Sequence, residues 1–147
     1  MAEKKEVREN LLKLDLMRRK FLRPHFLELG LTVGQGQPRI LNSLLTKNHM
    51  TQRELSDLCD IDVTTMSRTL DKMEEAGLIC REKNPDCRRS HRIALTRMGE
   101  EKAEQVREIF NALDEVIWQG FTGEEMDALL YGVKKIMGNL EGMAKDE

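Results

Sequence analysis

T-Q-R-E-L-S-D-L-C-D-I-D-V-T-T-M-S-R-T-L-D-K-M-E-E-A, residues 51–76, reads as two helices joined by a tight turn. Thr51 and Glu54 have the S/T-x-x-E spacing of a capping box, so the first helix starts at Thr51. Leu55 and Leu58 give it an apolar edge. Cys59-Asp60-Ile61 interrupts the pattern, and Asp60 suits a turn because Asp tolerates a left-handed backbone. Asp62 can cap the second helix. There Met66, Leu70, Met73 and Gly77 recur at helical spacing and form one buried stripe. Thr64, Arg68, Asp71 and Glu75 fall opposite it. Thr65 and Lys72 flank that outer face on one side and Ser67 on the other.

Short hydroxyls let a helix approach a nucleic-acid groove closely, and an arginine can bond guanine bidentately. A helix N-terminus suits phosphates. These are the requirements of the second helix of a helix-turn-helix. A merely solvated polar face is the plainer alternative. Gly77 then stops the helix as a C′ glycine should. Leu78-Ile79-Cys80-Arg81-Glu82-Lys83 reads as a strand, Asn84-Pro85-Asp86 as a turn, and Arg92-Ile93-Ala94-Leu95 as a returning strand. A helix-turn-helix followed by a hairpin is a winged helix. Residues 81–97 carry Arg81, Lys83, Arg88, Arg89, Arg92 and Arg97 against Glu82 and Asp86. A wing with that excess would meet phosphates or a minor groove.

With these pieces in place, the sequence resembles the MarR family of transcriptional regulators. The matching stretches are Q-R-E-L-S-D-L-C (52–59), T-T-M-S-R-T-L-D-K-M-E-E-A-G-L-I (64–79), R-R-S-H-R-I-A-L-T (88–96) and Gly99. The resemblance implies a two-fold dimer built from the first helix and the last two. It also implies small anionic or aromatic effectors at the junction of that region with the winged helix, which here makes Phe21, His25 and Phe26 candidates. The family usually has Asp at the wing position of Cys87. Asp86, one residue earlier, is the candidate to hold Arg89 in its place.

The 147 residues fit one domain with appendages. Hydrophobic content of 39% with only 4% aromatics gives a modest core of Leu, Ile, Val and Met, one reason to expect oligomerisation. The net charge of −2 conceals an asymmetry. Residues 1–50 carry ten Lys/Arg against five acids, residues 51–97 nine against nine, and residues 98–147 five against twelve. The acidic last third repels phosphate, so DNA contact belongs to the middle and part of the first third. Three cysteines without C-x-x-C spacing, no long apolar run and a charged N-terminus point to a cytoplasmic protein.

Residues 5–28 read as a first helix, with Val7, Leu11, Leu14 and Phe21 on one stripe and Leu12, Leu16 and Met17 widening it. Pro24 should kink it or end its regular part, and Gly30 is a stop. Residues 31–36 connect to a helix 37–46, opened by Pro38 and burying Ile40, Leu41, Leu44 and Leu45. Thr96 caps a long helix whose stripe is Ala103, Val106, Phe110, Leu113 and Ile117. Gln119-Gly120-Phe121 breaks it. Thr122 and Glu125 open a last helix, about 123–143, that buries Met126, Leu129, Leu130, Val133, Ile136, Met137 and Leu140. The apolar residues of the last two helices exceed what a lone hairpin can bury, so a partner surface is expected. That interface should exceed about 2,000 Å².

The expected fold is mainly α with a small β-hairpin wing: a winged helix-turn-helix (35–97) between an N-terminal dimerisation helix and connector (1–34) and C-terminal dimerisation helices (98–147). The expected DNA contacts are Thr51, Gln52, Thr64, Thr65, Ser67, Arg68, Lys72, Arg88 and Arg89. The expected function is a homodimeric repressor of a pseudo-palindromic operator, relieved by an effector. No H-E-x-x-H, G-x-S-x-G or G-x-x-x-x-G-K occurs, so no enzyme, cofactor or metal is expected. Cys59 and Cys80 sit on apolar patterns and read as core. Cys87, on an exposed turn beside Arg88 and Arg89, is the redox candidate, although an incidental surface cysteine is the plainer reading. A thiol-responsive regulator acting through Cys87 and a winged helix used for protein–protein contact are the two alternatives.

Overall fold

The computed structural model describes residues 1–32, 34 and 36–145, without the side chains of residues 88 and 145. Val33 and Gln35 of the expected connector lie outside the described residues. The order of elements is α1 (Lys4–Glu28), α2 (Gln37–Thr46), β1 (Met50–Thr51), α3 (Gln52–Cys59), α4 (Val63–Glu75), β2 (Ile79–Asn84), β3 (Cys87–Leu95), α5 (Arg97–Ile117) and α6 (Gly123–Lys145). The strands form one antiparallel sheet in the order β1-β3-β2. Residues 1–113 and 114–147 form two compact units, described separately.

In the first unit the core is made where helical and strand stripes converge. Ile40, Leu41 and Leu44 of α2, Leu55 of α3, Met66, Leu70 and Met73 of α4, Ile93 of β3, and Ala103 and Val106 of α5 are fully buried. Leu45 is only half-buried. Thr51 caps α3 and accepts the Glu54 N–H at 3.1 Å. Leu58, expected on the buried edge, is exposed, and Cys59 takes the core position instead. Four residues on from Leu55 is 40° round the helix, three residues on is 60° the other way, and the core lies on the former side.

Asp60 is left-handed (φ 52°) and makes the turn between α3 and α4. Gly77 (φ 78°) ends α4 in a Schellman motif, with the Leu78 N–H bonded to the Met73 carbonyl at 2.9 Å. β1 was not anticipated. Its two residues pair Met50 with Ile93 and Thr51 with Arg92, which ties the start of α3 to the hairpin.

α1 runs through Pro24 to Glu28 rather than ending there. A proline costs the helix one N–H bond, and that loss falls in its last turns, where the helix closes through the Leu31 N–H to Phe26 carbonyl bond at 3.1 Å. Only Leu22 and Phe26 of α1 are buried, and Phe26 meets Phe110 edge-on with ring centroids 5.4 Å apart. Val7, Leu11, Leu12, Leu14, Leu16 and Met17 are exposed in the single chain.

α5 is joined to the winged unit by polar bonds to helix ends. Lys102 donates to the Leu29 carbonyl at 2.9 Å, and Arg107 donates to the Asn42 carbonyl at 3.1 Å. At Leu29, the C-cap of α1, the Lys102 cation meets an orphan carbonyl and suits the helix dipole. Gly99, in the first turn of α5, lies against the backbone carbonyl of Leu78, so close that a Cβ would collide with it.

In the second unit Gly120 (φ 81°) breaks the chain after α5, and Trp118 packs edge-on to Phe121. Thr122 and Glu125 form the reciprocal capping box: the Glu125 N–H donates to Thr122 Oγ1 at 3.2 Å and the Thr122 N–H to Glu125 Oε1 at 3.3 Å. The stripe Met126, Leu129, Leu130, Val133, Ile136, Met137 and Leu140, expected to be buried, is exposed in the single chain.

Candidate nucleic-acid interface

The rotation of α4 about its axis is fixed from inside. Met66, Thr69, Leu70 and Met73 are buried, and they turn Thr64 and Arg68 outward. Asp62 caps the helix, accepting the Thr65 N–H and the Thr65 hydroxyl, each at 2.8 Å. Those bonds hold the Asp62 carboxyl below its ordinary range. They also commit the Thr65 hydrogen, leaving that oxygen as an acceptor only. The first two turns of α4 therefore present backbone N–H groups, the hydroxyl of Thr64 and the Arg68 guanidinium. Ser67 is half-buried and Lys72 exposed. Thr51 and Gln52, at the start of α3, are half-buried.

Val63 is a residue that sequence reasoning passed over. It is the first residue of α4 and is exposed, where its period alone marked it as neither stripe nor polar face.

The hairpin β2–β3 closes around Pro85-Asp86, with Asn84 opposite Cys87. Asn84 Oδ1 accepts the Asp86 N–H at 3.1 Å, and its Nδ2 donates to Ser90 Oγ at 2.8 Å. The pairing steps from Lys83–His91 directly to Asn84–Cys87, so residues 88–90 have no partner across the ladder. This bulge re-aims the chain at the tip and leaves Arg89 exposed. The side chain of Arg88 lies outside the described residues.

Asp86 does not hold Arg89. It pairs with Arg92, at 3.1 Å, because Arg92 on the regular part of β3 projects beside the turn while Arg89 sits in the bulge. Cys87 is exposed at the start of β3 rather than on the turn itself, and its thiol is held below the ordinary range. The cause is hydrogen bonding, first from the Arg89 backbone N–H and then from the Ser90 hydroxyl. Cys59 is buried, and burial pushes its thiol up, while Cys80 is only half-buried.

Of the three residues around Pro24, Phe21 and His25 are exposed with ring centroids 5.2 Å apart, and Phe26 belongs to the core. Among the described residues no group of three or more His, Cys, Asp or Glu is placed to hold a metal ion, and no helix is long and apolar enough to cross a membrane.

A helix-turn-helix followed by a bulged basic hairpin, with a short strand before the first helix completing the sheet, defines a winged helix-turn-helix protein. Residues 34–91 match the model of the MarR family, a span reaching from the entry to α2 into the wing. The resemblance to that family read from the sequence is shown by this match.

Solved structures agree over nearly the whole length. A MarR-family transcriptional regulator from Silicibacter pomeroyi is 26% identical with a TM-score of 0.75, over 92% of this chain and 90% of that one. A MarR-family regulator from Listeria monocytogenes, complexed with 26mer DNA, is also 26% identical, with a TM-score of 0.75 over 88% and 87%. A MarR protein from Peptoclostridium difficile, at 21% identity, shares the fold with a TM-score of 0.81 over 97% and 94%.

Proposed function

We propose that this chain is a homodimeric transcriptional regulator that represses by occupying a pseudo-palindromic operator and is released by a small-molecule effector. The observation that carries the DNA-binding part is the outward pair Thr64 and Arg68 at the N-terminal end of α4, fixed by the buried stripe behind them, with the bulged basic hairpin beside it. Helix 62–76 would enter a major groove, and hairpin 84–91 would lie by the neighbouring minor groove. Thr51, Gln52, Thr64, Thr65, Ser67, Arg68, Lys72, Arg88 and Arg89 are the proposed contacts. The Listeria relative crystallised with DNA supports this reading.

Residues 35–97 would be the DNA-binding region, with 1–34 and 98–147 serving dimerisation. The uncovered apolar faces of α1 and α6 support this, since contiguous exposed apolar surface of such extent marks an interaction site. Two-fold symmetry then sets half-sites about one helical turn apart. For the effector, Phe21 and His25 offer accessible rings, and Phe26 would contribute only as a wall. No catalytic role is assigned to any residue.

A second reading has its own observation: the exposed Cys87 thiol, held low by hydrogen bonds, favours a thiolate open to oxidants.

The test is recovery and sequencing of genomic fragments bound by the purified protein, then a salt titration on the best duplex. A DNA reader loses affinity steeply as salt rises, by about 0.9 log units per log unit of salt for each phosphate neutralised. Flat salt dependence, or no enrichment of any sequence, would instead favour a winged helix used for protein contact.

A further inference from the structure

We infer that Arg81 is a positioning residue: it pins the outer face of α4 to the wing, and DNA affinity depends on that pin. The inference rests on the DNA-binding reading above. Arg81 stands on β2 two residues beyond the buried Ile79. Its guanidinium donates to Asp71 Oδ1 at 2.8 Å and to Glu74 Oε2 at 3.4 Å. Asp71 and Glu74 lie one turn apart on α4, and Asp71 lies one turn beyond Arg68. The Arg81 side chain is 23% exposed, against 94% for Arg97, so it is folded down onto the helix rather than left in solvent.

The bridge accounts for a charge that is otherwise misplaced. A carboxylate near the outer face of a DNA-reading helix repels the phosphates it approaches. Asp71 and Glu74 instead find their counter-charge on the hairpin, and the guanidinium fork fixes direction as well as distance. α4 and the bulged tip at residues 88–90 must meet two different grooves together. If the hairpin can shift against α4, that freedom is lost on binding, and affinity falls by the ordering cost. A partly exposed ion pair sets the scale at about fivefold in affinity.

Asp71→Asn separates this account from simple electrostatics, because the two predict opposite signs. The full-length protein is titrated by fluorescence anisotropy against the best genomic duplex and a scrambled duplex of equal composition. The pin predicts that Asp71→Asn binds both about fivefold more weakly, with an unchanged melting profile, and that Asp71→Glu restores most of the affinity. In DNA-free protein the same Asp71→Asn change should speed amide exchange along residues 80–84. Equal or tighter DNA binding by Asp71→Asn, or unchanged exchange, overturns the inference. If the wild type binds neither duplex in a salt-dependent way, the functional reading fails, and the exchange measurement still decides whether the bridge holds the hairpin.

Discussion

Gly99→Ala sets two effects of known sign against each other at the joint between the wing and α5. Helix propensity alone favours the change, by about 1 kcal/mol in a helix interior. The structure opposes it. A Cβ at residue 99 would collide with the Leu78 carbonyl, which is backbone and cannot rotate away. That carbonyl accepts the Thr96 N–H at 3.1 Å, and the Thr96 hydroxyl donates to the neighbouring Gly77 carbonyl at 2.6 Å. Relief requires α5 to lift off the end of α4, which strains both bonds, each contributing about 1 kcal/mol.

Overpacking of this kind costs about 1–3 kcal/mol. Net of propensity, Gly99→Ala should destabilise by up to about 2 kcal/mol, at most a few degrees in Tm for a chain of this size. Urea unfolding at fixed protein concentration reads it directly, since a dimer's stability depends on concentration. A Gly99→Ala protein more stable than wild type would show that α5 is not seated on Leu78.

Three further outcomes follow from the same geometry. Arg89→Ala should weaken operator and scrambled DNA by similar factors and flatten the salt slope by about one counterion per subunit, since a bulge-borne arginine contacts backbone or groove rather than base identity; a sequence-dependent loss would move Arg89 into direct readout. Replacing Leu129 and Val133 together with Glu should turn the protein monomeric in sedimentation, because charge cannot be desolvated in an apolar interface; a persistent dimer would place the interface elsewhere. Cys87 should alkylate faster than Cys59 or Cys80, with its rate rising at a lower pH than an ordinary thiol. A depressed pKa exposes thiolate earlier as pH climbs, and Ser90→Ala should move that rise to higher pH; a profile insensitive to Ser90 would reject the Ser90 hydroxyl as a cause.

The parts of the fold that are legible in the sequence are those set by neighbours in the chain. Thr51, Asp62 and Thr122 cap helices through bonds three residues away, so their spacing is visible without tertiary structure. Gly77 and Asp60 adopt left-handed backbone for reasons internal to the residue. Misreadings arise where a partner is distant. Leu58 and Cys59 both fit an apolar edge, and only the position of α2 and α4 chooses between them. β1 is two residues long and exists because Ile93 and Arg92 lie beside it.

The wing tip is the least legible part. Asp86 has four arginines within six residues, and the bulge, which no short pattern announces, gives it Arg92 rather than Arg89. The Arg81 bridge to Asp71 and Glu74 spans ten and seven residues across a turn, and its charges read singly as solvated surface. The apolar stripe of α6 is legible as a stripe, but its exposure is not, because period gives a face and not its neighbour.

The account turns on α4 reading base edges, and one comparison addresses that most directly: the affinities of wild type and Arg68→Ala for the best genomic duplex and for its scrambled counterpart, at one fixed salt concentration. Arg68→Ala should lose roughly 1–3 kcal/mol on the genomic duplex and far less on the scrambled one, relaxing preference at one position in each half-site. Equal weakening on both duplexes would make Arg68 a phosphate contact, and no weakening on either would remove α4 from the interface.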